Sequence, residues 1–321
     1  MAAANATPAT LQQAILHFAV YENCHKAIVD IRWPGGVVAC PRCGSVNVKY
    51  MESQRRWKCY EKHERAQFSL KVGTIFESSP LGLEKWLPAL WMLVNCKNGI
   101  SSYELGRALG VTQKSAWFML SRLRLVLQGE DGGKLGGDVE IDETFIGGKA
   151  RNVHPAKRAA MMKRGGFKGK VAVMGLLERG ENKTSRVRTA IVRGNKRAHL
   201  MPHIDANVAR GSNVYTDALH SYDVLKADYE HGVVDHAKRY VDGQIHTNGL
   251  ESYWSMLKRT LGGTYISVEP FHLFRYLDEQ AFRFNERKAT DAERFAVSLR
   301  GVMDKRLTYT ALTGAGVPER C

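Results

Sequence analysis

An α+β chain of several domains is what this sequence predicts, and three observations carry that prediction. A cysteine cluster lies in short, turn-rich, strand-like pieces; glycines then split a long apolar stretch into three helical runs; and beyond a glycine-rich span, early strands give way to alternating helix and strand. At 321 residues the chain has room for two or three domains of ordinary size, about 100–200 residues each. Apolar side chains make up 44% of it, enough for real cores.

Residues 9–31, TLQQAILHFAVYENCHKAIVDIR, space their apolar positions as helices do, and Pro34-Gly35-Gly36 stops the pattern; 1–32 is therefore an N-terminal helical segment. Residues 33–80 hold CPRCGSVNVKY, RRWKCYEKHE and QFSLKVGT, too little to bury a core unaided, so a further bond should hold this module together. From 81 to 130 the helical runs break at Asn98-Gly99 and at Gly110, with Ser101 or Ser102 and Thr112 placed as N-caps. A short helix, a tight turn and a longer helix fit a helix-turn-helix, with Gln113, Lys114, Arg122 and Arg124 expected on its exposed face for DNA. Residues 131–137 read as a Gly-rich linker.

The second half, 138–290, reads as strands 138–146, 170–178 and 185–193, helix 196–209, strand 213–217, helix 218–229, strand 232–235, and helices 248–261 and 270–286. That order indicates a mixed sheet with helices packed on it. Residues 291–321 are left as a C-terminal tail.

Charge narrows the function. Lys and Arg number 47 against 32 Asp and Glu, and the resulting +15 concentrates polyanions, which makes nucleic acid the favoured partner. The richest apolar stretch, Leu87–Val94, is far shorter than the roughly 20 residues of a membrane span. The N-terminus lacks the basic region of a secretory signal, and the six cysteines offer only one close pair, so a reducing compartment, the cytoplasm, is expected.

Cys40-Pro-Arg-Cys43 lets one tight turn aim two thiolates at one ion, with Gly44 suited to the left-handed position of such a knuckle. Cys59 and His63 supply a second turn, giving Cys40, Cys43, Cys59 and His63 as ligands of one structural Zn²⁺.

Three carboxylates stand out in the second half. Alternation in VEIDETF puts Glu140 and Asp142 on the face opposite Val139 and Ile141; Asp217 ends the strand of NVYTDALHSY; Glu251 opens the helix of HTNGLESYWSMLKR. Each of the last two has a rival local role, Asp217 as an N-cap and Glu251 as the reaching-back member of a capping box. Taken together the trio suits two-metal phosphoryl transfer, in which carboxylates surround ions about 4 Å apart and hard oxygen donors select Mg²⁺ or Mn²⁺. Lys258 falls on the same helical face as Glu251 and is placed to meet a DNA backbone, while Leu250, Trp254, Leu257 and Leu261 form a core stripe. His246 and Asn248, just before that helix, are candidates for orienting a phosphate or Glu251. Between Lys149 and Lys170 lie eight basic residues and no acid, among them Lys157, Arg158, Lys163, Arg164, Lys168 and Lys170, a cationic loop suited to clamping DNA.

Those pieces in that order, CPRCGS, the run from QFSLKVGT to KSAWFML, VEIDETFIGGK, NVYTDALHSY and HTNGLESYWSMLKR, resemble the bacterial insertion-sequence transposases that join an N-terminal zinc ribbon to a DDE catalytic domain of RNase H-like fold. The resemblance runs from about Trp33 to Arg287 and departs from the usual ribbon in one respect: three residues, not two, separate Cys59 from His63. It implies that 33–80 is the zinc ribbon, that 138–290 is the RNase H-like domain, and that Asp142, Asp217 and Glu251 are catalytic, with His246, Asn248 and Lys258 around the third. It further implies two Mg²⁺ or Mn²⁺ per site, cleavage at inverted-repeat ends, and attack of the freed 3′-hydroxyls on target DNA. A homodimer or larger synaptic assembly, associated with the nucleoid, follows from the need to hold two ends. A transposase-derived regulator without catalysis, or a metal-dependent nuclease, are the alternatives.

Overall fold

A computed structural model describes residues 8–129, 132–148, 155, 159, 170–180, 184–234 and 245–314. The chain divides into two compact units, one made of residues 1–128 with 289–321, the other of residues 129–288.

The first unit gathers around a helix that is apolar on nearly every side. Helices α1 (Leu11–Phe18) and α2 (Tyr21–Arg32) precede a three-stranded antiparallel sheet, β1 (Val48–Met51), β2 (Arg56–Cys59) and β3 (Gln67–Phe68); α3 (Leu83–Asn95), α4 (Ser102–Leu109) and α5 (Gln113–Val126) follow. In α3 Leu83 and every residue from Trp86 to Val94 are buried, as expected of a helix surrounded by others. Ser101 caps α4 in a capping box with Glu104, and the Thr112 side chain caps α5. These are the two caps read from the sequence, and Ser102 becomes the first residue of α4.

The residues expected as a C-terminal tail carry two more helices, α9 (Asp291–Arg300) and α10 (Tyr309–Thr313), numbered after the three of the second unit. Phe295 of α9 lies between Phe18 of α1 and Trp91 of α3, with ring centroids 5.4 and 5.1 Å away. Beyond it, Lys305 Nζ donates to the carbonyls of Leu125 (3.0 Å) and Gln128 (3.3 Å), placing a cation at the C-terminal end of α5. The segment is a tail in sequence order only, because its apolar face completes the core around α3.

The second unit is a five-stranded sheet in the order β6-β5-β4-β7-β8. Its strands are β4 (Asp138–Ile146), β5 (Val171–Glu178), β6 (Arg186–Val192), β7 (Asn213–Asp217) and β8 (Glu230–Val234), the first three antiparallel and the last two parallel to β4. This is the RNase H-like mixed sheet that the resemblance implies. Helix α6 (Arg197–Asn207) covers one face, packing Leu200 and Ile204 on Val139, Ile141 and Val214. Helices α7 (Asn248–Thr260) and α8 (Leu273–Asn285) cover the other, with Leu250, Tyr253, Trp254 and Leu257 against Val173, Leu177 and Val187. The stretch expected as a helix over 218–229 is a 3-10 run, His220–Ala227. Within the span expected as a linker, Leu135 is fully buried and bridges to Val208, so apolar burial ties that span to the sheet.

One contact fixes where α7 lies. Gly175 of β5 pairs with Asp142 of β4, and a Cβ at Gly175 would meet Trp254 at 2.6 Å and Leu250 at 2.8 Å. The absent side chain is the space into which α7 settles.

The placement of α9 yields a stability prediction. Phe295→Ala should cost about 3–5 kcal/mol by opening a cavity between α1 and α3, measured as a lower denaturant midpoint; an unchanged midpoint would show that α9 does not belong to that core.

Candidate functional site

Two constellations were predicted, and each lies within one unit. In the first unit the Cys40–Cys43 turn and the β2 end bring four ligand atoms together: Cys40, Cys43 and Cys59 Sγ and His63 N all lie within 4.8 Å of one another. Cys43 Sγ sits 3.7 Å from Cys59 Sγ, and Cys40 Sγ 3.6 Å from His63 Nε2. A zinc tetrahedron with bonds of about 2.3 Å has edges of about 3.8 Å, so the separations suit one ion. His63 Nδ1 lies 2.7 Å from the Glu64 carbonyl, and only an N–H can bond there; the tautomer therefore leaves Nε2 as the ligand. Burial opposes ionisation of Cys40, yet the backbone N–H groups of Arg42 and Cys43 and the neighbouring thiols outweigh it and bring the thiol down to about 7. Gly44 adopts φ +75°, the left-handed position assigned to it. Four protein ligands close the site, the arrangement of a structural zinc.

In the second unit, strand alternation directs Glu140 and Asp142 toward α7. Asp142 Oδ2 accepts from Trp254 Nε1 at 2.9 Å and Oδ1 from the Glu143 N–H at 2.8 Å. Burial pushes the Asp142 carboxyl up to about 6, the two hydrogen bonds oppose that rise, and the charges of Asp217 and Glu251 add to it. Glu143 is raised to about 8 by burial, then by Asp217 and Asp142, and its Oε1 is buried without a hydrogen-bond partner. Asp142, Asp217 and Glu251 are thus near enough for the last two to act on the first. They are not drawn together as tightly as the cysteines: among the described residues the Cys₃His group alone has three or more such ligand atoms within 4.8 Å of one another.

The rival local roles separate. Asp217 Oδ1 does accept from the Leu219 N–H, at 3.3 Å, so a turn-forming bond coexists with its approach to Asp142. The helix start moves the capping-box position away from Glu251: Thr247 is the N-cap, its side chain makes no cap bond, and Glu251 is the fourth residue of α7. Glu140 performs that task from the strand: Oε2 accepts from the Leu250 N–H at 2.9 Å and Oε1 from Arg179 Nε at 2.8 Å. Arg179 in turn donates to the His246 carbonyl at 2.6 Å and to His246 Nδ1 at 2.8 Å. One nitrogen of His246 is therefore directed into the fold and not toward a phosphate, whereas Asn248, Glu251 and Lys258 are exposed.

Sequence reasoning missed Glu140 and Arg179 and gave Trp254 a packing role alone. Glu140 carried a usable signal, because an acid on the covered face of a strand, two residues before Asp142, needs a partner when buried.

The DNA-facing set divides. Lys114 is exposed and Gln113 half-buried, its Nε2 donating to Ser102 Oγ at 2.9 Å. Arg122 and Arg124 are buried, at 3% and 1% exposure, which corrects their assignment to a solvent face. The α9–α10 segment explains this for Arg122: it donates to the Leu307 carbonyl at 3.0 Å and to the Glu77 carbonyl at 2.7 Å. Lys170 is exposed. Lys157, Arg158, Lys163, Arg164 and Lys168 lie outside the described residues.

Comparison with known proteins follows the same division. Residues 134–285 match the model of the ISXO2-like transposase domain, and residues 22–62 match the transposase zinc-ribbon domain. An uncharacterized protein in transposable element ISH50 of Halobacterium salinarum is 29% identical over 245 residues, covering 73% of this chain and 81% of that protein. An uncharacterized transposase-like protein of Haemophilus influenzae is 33% identical over 101 residues, covering 31% of this chain and 81% of its own length.

The zinc geometry predicts one Zn per chain by atomic absorption. Cys43→Ser should release it and His63→Ala weaken it, each lowering the ribbon's stability in step with metal loss; full zinc retention in His63→Ala would contradict the Cys₃His assignment.

Proposed function

Since this chain belongs to the family of transposases that pair a zinc ribbon with an ISXO2-like transposase domain, we propose that it binds the inverted-repeat ends of an insertion sequence and catalyses metal-dependent strand cleavage and strand transfer. The observation that carries this is that the charges of Asp217, at the end of β7, and Glu251, on α7, both reach the partly buried Asp142 of β4.

Asp142, Asp217 and Glu251 fit a pair of Mg²⁺ or Mn²⁺ ions, because clustered carboxylates are hard oxygen donors whose crowding a divalent cation relieves. When bound, such a pair activates a nucleophilic oxygen and stabilises the leaving one. The chain supplies the rest. Trp254 and the Glu143 N–H hold the Asp142 carboxylate in one orientation. Exposed Lys258 and Arg259 on α7 offer cations to the phosphodiester backbone beside Glu251. In cleavage, a water oxygen bonds to phosphorus and the 3′-oxygen leaves as a hydroxyl. In strand transfer, the oxygen of that 3′-hydroxyl loses its proton and bonds to a target phosphorus, while the target 3′-oxygen departs and takes up a proton as a hydroxyl.

The zinc ribbon, Gln113 and Lys114 at the start of α5, and the basic loop 149–170 bind DNA in this proposal, and two copies or more hold two ends together. Arg122 and Arg124 support α5 from inside. Among the described residues no helix is long and apolar enough to cross a membrane; the nucleoid in the cytoplasm is the proposed location.

Incubation with a cognate end duplex and Mg²⁺ should give nicked and joined products, both lost in Asp142→Asn. Binding without nicking would favour a regulator, and nicking without joining a nuclease.

A pH dependence accompanies the site. Folding raises the Asp142 and Glu143 pKa values, so their contribution favours the folded state at low pH and is lost as pH rises through about 6 and then about 8. Thermal scans of the zinc-loaded protein should accordingly show Mg²⁺ raising Tm more at pH 8 than at pH 5. An equal shift at both would contradict cation binding by these carboxylates.

A further inference from the structure

The Glu140 carboxylate is buried at 1% exposure, two residues before Asp142 on the same face of β4, and its four surroundings are accounted for. Oε2 holds the Leu250 N–H, in the first turn of α7; Oε1 holds Arg179 Nε; His246 Nδ1 lies 3.4 Å from Oε1; and Gly249 leaves the approach open. A Cβ at Gly249 would come within 2.8 Å of Glu140 Oε2. Arg179 lies over the Tyr215 ring of β7 at 4.4 Å and is bonded to both the carbonyl and Nδ1 of His246. A guanidinium can only donate, so the Arg179 contact uses His246 Nδ1 as its acceptor, with the ring N–H on Nε2.

From this juxtaposition we infer that Glu140 and Arg179 are positioning residues, which clamp the N-terminus of α7 to β4 and thereby set Glu251 against Asp142 for the shared divalent cations. The inference rests on the proposed carboxylate site. The clamp joins three elements that each carry one of its acids: Glu140 belongs to the strand of Asp142, Leu250 to the helix of Glu251, and Tyr215 to the strand of Asp217. A negative charge at a helix N-terminus is favourable, and two donors satisfy both of its oxygens. A buried ion pair is weak evidence of stabilisation by itself, since apolar side chains often serve as well. Two donors, the Leu250 N–H and Arg179 Nε–H, each need an acceptor oxygen at a fixed register, and that requirement accounts for a carboxylate at this position. His246 then acts through Arg179, as part of the clamp.

The experiment measures Mn²⁺ affinity of the full-length, zinc-loaded protein by electron paramagnetic resonance, without DNA. Glu140→Gln retains the shape but presents an NH₂ where an acceptor is needed. Supporting the inference, it weakens Mn²⁺ by about 10- to 100-fold, the range for residues that orient metal ligands, and adds no further loss in the Glu140→Gln, Glu251→Gln double variant. Gly249→Ala serves as the second variant, and decides the matter if Glu140→Gln fails to fold. Alanine is the better helix former, so a weakened Mn²⁺ affinity with an undiminished Tm points to displacement of the clamp and not to a frayed helix. Wild-type affinity in both Glu140→Gln and Gly249→Ala, or independent losses that multiply in the double variant, overturns the inference and leaves the carboxylate site standing. Absence of Mn²⁺ uptake by the wild type, or an unaffected Glu251→Gln, overturns the proposed site and the clamp with it.

Discussion

The seat of α7 on the sheet is the constraint on which the second unit's chemistry depends. Three contacts define it: Glu140 holds the helix start through the Leu250 N–H, Trp254 reaches Asp142 one turn later, and Gly175 leaves the room that Trp254 fills. Apolar burial of Leu250, Tyr253 and Leu257 supplies the larger driving force but little directional information. Hydrogen bonds to buried acceptors supply the direction, because leaving such groups unmet costs more than making them gains. Glu251 stands on the exposed side of a helix whose other side is thus fixed in height and rotation.

The first unit meets a different difficulty. Its small sheet carries few apolar residues, and two devices compensate. The Cys₃His cluster ties the Cys40 turn to the end of β2. Trp57 of β2, buried at 4% exposure, stacks between His25 of α2 at 5.3 Å and Phe68 of β3 at 5.6 Å. The ribbon therefore borrows part of its core from α2, and the helices around α3 borrow theirs from α9. Residues far apart in sequence close each cluster.

That distance explains what the sequence could and could not reveal. Strands β4 and β7 were legible because alternation and flanking turns are local; β4 runs over the predicted 138–146 and β7 over 213–217. The zinc ligands were legible because two residues between Cys40 and Cys43 constrain geometry directly. Arg122 and Arg124 were misplaced because the chain that covers Arg122, around Leu307, lies 185 residues further on. His246 was read as orienting either a phosphate or Glu251, and nothing near it in sequence announces its contact with Arg179. Glu140 sat in plain view beside Asp142, and only the arrival of α7 shows that it caps a helix from across the sheet. Local pattern specified the elements; which buried polar groups meet was decided by packing between them.

Whether Asp142, Asp217 and Glu251 share divalent cations can be seen by anomalous diffraction from crystals of the zinc-loaded protein soaked in Mn²⁺. Manganese density should then lie among these three carboxylates, with α7 still held by Glu140 and the ribbon retaining its zinc. Manganese bound elsewhere, or density at Asp142 with Glu251 turned away from it, would show that the three carboxylates do not form one cation site.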